Sequence, residues 1–375
     1  TTPAYRPPLL TKEGISYKPM QLSEFDYNLP PELIATEPTV KRDAARLLVL
    51  NKETGALEHK HFFDLLDYLR PGDLLIANNS KVIPARLTGK KTTGGAVEIF
   101  LSKNIGSEWE VLIKGRVQLG SEIILSKKLT ATVIESYSGG LWLISFNLSA
   151  KDLMDELDRI GQIPLPPYIV KARQDKAAYH ADKNDYQTVY AAEDKQGSVA
   201  APTAGLHFTP ELIAKIKDAG VMVEYLTLHV GLGTFLPVKV DNVEDHKIHS
   251  EWAELDSELI EKIIKAKRAG RRVIAVGTTS ARALEYTFSH LDLGDYLKSR
   301  ELKNKNFSAW VDIFIYPPYQ FKVVDGLITN FHLPKSTLLM LVSALAGQDN
   351  IKQAYQEAIR QAYRFYSYGD AMLIN

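Results

Sequence analysis

Several short segments of this chain combine proton-transfer groups with small residues that let a ligand reach the main chain. In Ala200–Thr209, Thr203 offers a hydroxyl, Ala204 and Gly205 leave room for close backbone approach, and His207 is of the type that titrates near neutral pH. A helix opening at Pro210 would aim free N–H groups back at that loop, which suits a carboxylate or a phosphate. A tight turn with a capping histidine would use the same residues. In Thr227–Phe235, His229 precedes Gly231, Gly233 and Thr234. That Gly-x-Gly lacks the third glycine of a dinucleotide fingerprint, and a plain turn is an equal reading. In His246–Glu251 the two histidines stand three residues apart, not the four of a helical zinc motif. The spacing predicts a strand in which His249 and Glu251 share one face as an acid–base pair. The acid–base candidates are therefore His207, His229, His249 and Glu251.

Other segments offer binding groups. Val276–Arg282 reads as a strand–turn–helix in which Thr278, Thr279 and the helix N-terminus hold an anion, with Arg282 beside them; capping by Thr279 or Ser280 would use the same hydroxyls. Asn330 and His332, with Arg364, Tyr368 and Asp370 near the C-terminus, make an aromatic-and-acid set able to stack on an adenine ring and accept from its amino group. Asn79, Lys81, Arg86, Lys90 and Lys91, with Arg42 and Arg46 upstream, read as a phosphate-binding patch.

The elements that must position these groups follow two patterns. Residues 83–146 carry short runs of β-branched and aromatic residues separated by Gly94-Gly95, Gly120 and Gly139-Gly140, which predicts a small all-β barrel. The flanking residues alternate strands with helices. Thr209-Pro210-Glu211 and Asp256 open helices that Gly220 and Gly270 close. Strands are expected over 221–226, 272–276 and 312–316, and helices over 278–288, 336–346 and 351–364. The fold class is α/β: a larger mixed α/β domain (20–80 and 150–375) with an inserted small all-β barrel domain (81–149). Residues 1–19, rich in proline and turn formers, read as an N-terminal extension, with Met20 suited to be a start.

The chain has 375 residues, 45 Lys+Arg against 45 Asp+Glu, and no cysteine. Zero net charge means that any nucleic acid must bind through a local patch. Without cysteine there is no disulfide scaffold, thiol nucleophile or thiolate metal site. No apolar run reaches the roughly 18 residues of a membrane helix and no signal pattern opens the chain, so a cytoplasmic location is expected.

In order along the chain, Phe25–Pro30, Asn78–Arg86, Tyr186–Tyr190, Gly197–Thr209, Leu228–Phe235, His246–Glu251, Val276–Arg282, Thr329–Ser336 and Tyr363–Asp370 resemble the S-adenosylmethionine:tRNA ribosyltransferase-isomerases of queuosine biosynthesis. The resemblance runs from about Met20 to Ile374, and it is the ordered set that makes it specific. One departure is proline in Tyr316-Pro317-Pro318-Tyr319 where the family pattern has glycine; residues 1–19 match nothing in it. The resemblance implies an α/β domain with an inserted barrel. It implies transfer and isomerisation of the ribosyl moiety of S-adenosylmethionine onto 7-aminomethyl-7-deazaguanine in the tRNA anticodon, giving epoxyqueuosine-tRNA, adenine and methionine. S-adenosylmethionine is then a consumed substrate, no metal and no other cofactor is expected, and the chain is expected to be a monomer. Competing readings are an S-adenosylmethionine-dependent RNA methyltransferase, a metal-dependent hydrolase built on His246, His249 and a carboxylate, and a non-catalytic RNA-binding module.

Overall fold

The computed structural model describes residues 19–137, 140–172, 182–231, 233, 238–291 and 306–375. Thr234 and nearly all of the expected N-terminal extension lie outside the described residues. The chain forms two compact units.

The first unit opens with β1 (Arg46–Leu50), β2 (Leu57–His61) and β3 (Leu74–Asn78). The runs Leu-Leu-Val-Leu and Leu-Leu-Ile-Ala are continuous apolar stretches, and every residue in them is buried, as strands covered on both faces require. Asn51 makes the β1–β2 turn, its carboxamide oxygen accepting from the amides of Glu53 and Thr54 at 3.0 and 2.9 Å.

The chain then builds the second unit: β4 (Lys81–Val82), β5 (Arg86–Lys91), β6 (Ala96–Ile105), β7 (Glu108–Lys114), β8 (Glu122–Ile124), β9 (Thr130–Ser136), β10 (Leu141–Phe146) and β11 (Gln196–Ser198). Strands β5–β10 close an antiparallel barrel in the order β10-β7-β6-β5-β8-β9. Leu87, Val97, Ile99, Leu101, Trp109 and Val111 alternate into its core. The helix Ala150–Ile160, capped by Ser149, sends Leu153 and Leu157 into that same core. This unit comprises the described residues of Ser80–Ala201 and His229–Phe235, so residues 150–201 group with the barrel rather than with the α/β elements.

The first unit resumes with β12 (Met222–Leu228), β13 (Glu251–Leu255), β14 (Val273–Val276), β15 (Phe307–Val311), β16 (Gly326–Asn330) and β17 (Ala371–Ile374). With β1–β3 they form one sheet in the order β15-β13-β12-β3-β14-β16-β17-β1-β2. Helix caps fall where the sequence puts them: Thr209 accepts from the Leu212 amide at 3.1 Å and Asp256 from the Leu259 amide at 2.7 Å. Two strand expectations are corrected. Residues 246–250 are irregular and the strand begins only at Glu251. Residues 312–316 are not a strand either; the strand is Phe307–Val311, and the Ile313 carbonyl is taken by the Arg282 side chain at 3.3 Å instead of by a neighbouring strand. Among the described residues no helix is long and apolar enough to cross a membrane.

Candidate active site

Register places most of the predicted groups of the first unit at one end of the sheet. Strands β12, β3, β14 and β16 run parallel, so Leu228, Asn78, Val276 and Asn330 finish together. The neighbours β13, β15 and β17 run antiparallel to this set or to each other, which brings Glu251, Val311 and Ala371 to the same end. Carboxyl ends of parallel strands are where open α/β sheets bind ligands. Asn78 holds two of these ends together: its amide donates to the Leu228 carbonyl at 2.8 Å and its oxygen accepts from the Leu228 amide at 3.1 Å. Asn79 accepts from the Thr227 hydroxyl at 2.7 Å, so this expected RNA contact already serves the strand ends.

A 3-10 turn, Thr203–His207, crosses this end. The Thr203 hydroxyl donates to the Asn330 side-chain oxygen at 2.9 Å, and the Asn330 amide faces His207 Nε2 at 3.2 Å. Asn330 and His207 are buried, whereas Thr203 is partly open. Phe62 packs on the imidazole with ring centroids 5.0 Å apart. Burial holds the His207 pKa down at about 4; a main-chain hydrogen bond with Arg42 opposes that effect and the charges of Arg364 and Arg42 add to it. His207 is therefore neutral at pH 7.

Two helix N-termini adjoin the turn in sequence or space, and they differ. Helix Pro210–Asp218 is capped by Thr209 and carries Glu211 in its first turn. Its positive end is thus already satisfied by a side-chain oxygen and a carboxylate. Helix Thr278–His290 follows Gly277 (φ 85°), has no side-chain cap and has no acid in its first turn. The Thr279 hydroxyl oxygen is buried there with no hydrogen-bond partner among the described residues. Ser280 donates back to the Val276 carbonyl at 2.7 Å, which leaves the first-turn amides unserved by it. An anion is better received at the second helix. A β-carbon built on Gly277 would lie 3.8 Å from Ala204 Cβ, so the Thr203–His207 turn borders that helix end.

Four residues into this helix, Arg282 forms a buried ion pair with Glu251 and donates to the carbonyls of Ile313 and Val311, each at 3.3 Å. The expected His249–Glu251 arrangement is corrected accordingly: Glu251 is buried against Arg282 and His249 is exposed, ahead of the strand.

The C-terminal aromatic set is core. Phe331 meets Tyr355, Tyr363 and Phe365 at centroid distances of 5.5, 5.5 and 5.0 Å, and Tyr368 is buried. Asp370 accepts from the amides of Arg46 and Arg364 at 2.9 and 2.8 Å. Burial pushes its carboxyl above the usual range, and those two amides pull it back. Arg364 itself donates to Thr39 at 3.0 Å and to the Glu37 carbonyl. His332 is buried, its pKa held near 3 by desolvation, with Nε2 2.8 Å from the Thr329 hydroxyl. Tyr368, Asp370 and His332 are thus buried, and Arg364 is half-buried.

In the second unit, His229 stands over Gly197, where a β-carbon would come within 3.1 Å of the ring. Gly231 follows it outside helix and strand. Of the expected phosphate patch, Lys81 is paired with Glu193 and Arg86 with Glu98, while Lys90 is exposed and Lys91 half-buried.

Residues 22–374 match the model of a family described as queuosine biosynthesis protein. The chain belongs to that family. A relative from Sulfurihydrogenibium sp. (strain YO3AOP1), named S-adenosylmethionine:tRNA ribosyltransferase-isomerase, is 50% identical over 359 residues, covering 95% of this chain and all of the relative. The crystal structure of an S-adenosylmethionine tRNA ribosyltransferase from Thermotoga maritima at 2.00 Å resolution is 37% identical, covers 94% of this chain and all of that one, and superposes with a TM-score of 0.53. One buried acid is absent from the residues singled out in the sequence. Glu285, fully buried, accepts from the amides of Lys322, Val323 and Val324 at 2.8, 3.0 and 2.9 Å and from the Tyr319 hydroxyl at 2.9 Å. The available signal was an acid one turn after Arg282 in the same helix. Among the described residues, no three His, Asp or Glu side chains stand together as metal ligands would.

Proposed function

We propose that this family member is an S-adenosylmethionine:tRNA ribosyltransferase-isomerase. It joins the ribosyl carbons of S-adenosylmethionine to the aminomethyl nitrogen of 7-aminomethyl-7-deazaguanine in the tRNA anticodon. The C5′–sulfur bond and the glycosidic bond to adenine break, and methionine, adenine and epoxyqueuosine-tRNA result. The observation that carries this reading is 50% identity to the Sulfurihydrogenibium enzyme across that enzyme's whole length.

The chemistry asks for few protein groups. The sulfonium acidifies the C5′ hydrogens, the attacking amine must be neutral, and adenine leaves more readily when protonated. The carboxylate of the methionyl part fits the uncapped N-terminus at Gly277–Ser280, where the Thr279 hydroxyl lacks a partner among the described residues. Of the two catalytic histidine candidates in the first unit, His207 is buried and already bonded on Nε2, so we assign proton exchange with substrate to the exposed His249. His229 belongs to the second unit, where Lys90 and Lys91 supply charge to tRNA phosphates. The anticodon base would be splayed out of its stack to reach the strand ends. A cytoplasmic location and a monomeric state belong to the same proposal.

Nucleoside analysis tests it. tRNA bearing 7-aminomethyl-7-deazaguanine, incubated with the protein and S-adenosylmethionine and then digested, should yield a nucleoside heavier by the epoxycyclopentane unit. A nucleoside heavier by one methyl group would establish the methyltransferase reading instead.

A further inference from the structure

The Thr203–Asn330–His207 chain has a direction. Asn330 presents its amide nitrogen to His207 Nε2 at 3.2 Å. An amide N–H only donates, so Nε2 of the neutral ring accepts and the ring proton is on Nδ1. The neutral ring then has a lone pair on Nε2, and Asn330 must turn its NH2 toward it. That leaves the Asn330 oxygen facing Thr203 at 2.9 Å, where it takes the one proton of the Thr203 hydroxyl.

Thr203 Oγ1 is left with lone pairs only, and it is the partly open end of a chain whose other members are buried. A carboxylate there would meet lone pair against lone pair. An N–H donor would be received. The bordering N-terminus at Gly277 favours the opposite charge, since it offers donors. Resting on the reaction proposed above, we infer that Thr203 is a specificity-determining acceptor for a primary amino group of substrate, held in that role by Asn330 and His207. Two substrate amines share this chemistry: the α-amino group of the methionyl part and the aminomethyl group of the tRNA base.

The test combines two variants with one spectrum. Thr203→Val removes the acceptor at constant shape, and Thr203→Ser keeps it. Binding of S-adenosylmethionine and of S-adenosylmethionine lacking its α-amino group is measured by calorimetry, and KM for each substrate by turnover. If the methionyl amine is the donor, wild type and Thr203→Ser should bind the deaminated compound at least tenfold more weakly than the intact one, and Thr203→Val should bind the two alike. If the base's aminomethyl group is the donor, Thr203→Val should raise KM for tRNA at least tenfold with S-adenosylmethionine binding unchanged. Thr203→Val within twofold of wild type on every reading overturns the inference. The imidazole 15N spectrum of the unliganded wild type is independent of turnover. It should show His207 neutral with the proton on Nδ1 at pH 7; a proton on Nε2 would reverse the chain and also overturn the inference. An inactive wild type with the expected spectrum and the expected calorimetric pattern would count against the reaction while supporting the role of Thr203.

Discussion

The guanidinium of Arg282 lies against the carboxylate of Glu251, both groups buried at the end of the sheet where the candidate active site is built. The pair ties the helix Thr278–His290 to β13, and the two further bonds of Arg282 reach the carbonyls of Val311 and Ile313. The N-terminus that faces the proposed carboxylate is thereby fixed from its own second turn. Breaking one side of such a pair strands a buried charge, which costs about 3–5 kcal/mol. Arg282→Met should lose stability of that order in urea denaturation. A loss under about 1 kcal/mol would show that solvent reaches the pair freely.

Thr279 gives the opposite expectation. Its buried hydroxyl oxygen has no partner among the described residues, so Thr279→Val removes a polar atom that contributes nothing to folding. The variant should melt at or above the wild-type temperature. If a substrate carboxylate uses that hydroxyl, KM for S-adenosylmethionine should rise about tenfold, the equivalent of roughly 1.4 kcal/mol. An unchanged KM would place the carboxylate elsewhere.

Acid should destabilise the protein through its buried imidazoles. The pKa of His207 falls from its ordinary 6.5 to about 4, and that of His332 to about 3. The unfolded chain therefore takes up protons that the folded chain refuses. This part of the stability is complete above pH 6.5 and is lost as pH falls through about 4. A drop of 2.5 units is worth about 3 kcal/mol for His207 alone. The urea midpoint should decline steeply between pH 6.5 and 4.5, and His207→Gln should flatten that decline.

Gly369 is fixed by space rather than by torsion. A β-carbon there would stand 2.5 Å from the Arg364 carbonyl oxygen and 2.6 Å from the Phe365 carbonyl carbon, both main-chain atoms. Gly369→Ala must shift the turn whose amide at Arg364 is held by Asp370. A loss of about 1–3 kcal/mol is expected in thermal or urea melts; an unaffected melt would mean that the turn yields without cost.

Phosphate contact in the second unit should rest on Lys90 more than on Arg86. Glu98 already neutralises Arg86, whereas Lys90 is exposed. Lys90→Ala should lower the slope of log affinity for tRNA against log salt by about one. Arg86→Ala should change that slope less.

How much of this was legible in the sequence depends on what fixes each element. The barrel strands and the caps at Thr209 and Asp256 answer to local rules of turn residues, alternation and end-satisfaction, and they stand where those rules put them. The set of polar segments was also legible, because sheet ends concentrate such residues. Their partners were not. Residues 312–316 alternate like a strand, yet Arg282, far away in sequence, takes the Ile313 carbonyl. Glu251 pairs with Arg282 and not with its neighbour in sequence, and Asp370 spends its oxygens on Arg46 and Arg364. The grouping of 150–201 with the barrel follows from Leu153 and Leu157 entering its core, a packing fact that composition does not carry.

The central claim is ribosyl transfer, and the small-molecule products test it most directly. Incubation with S-adenosylmethionine and tRNA carrying 7-aminomethyl-7-deazaguanine should release adenine and methionine in equal amounts, and only when that tRNA is present. Release of S-adenosylhomocysteine, or of adenine without dependence on that tRNA, would contradict the account.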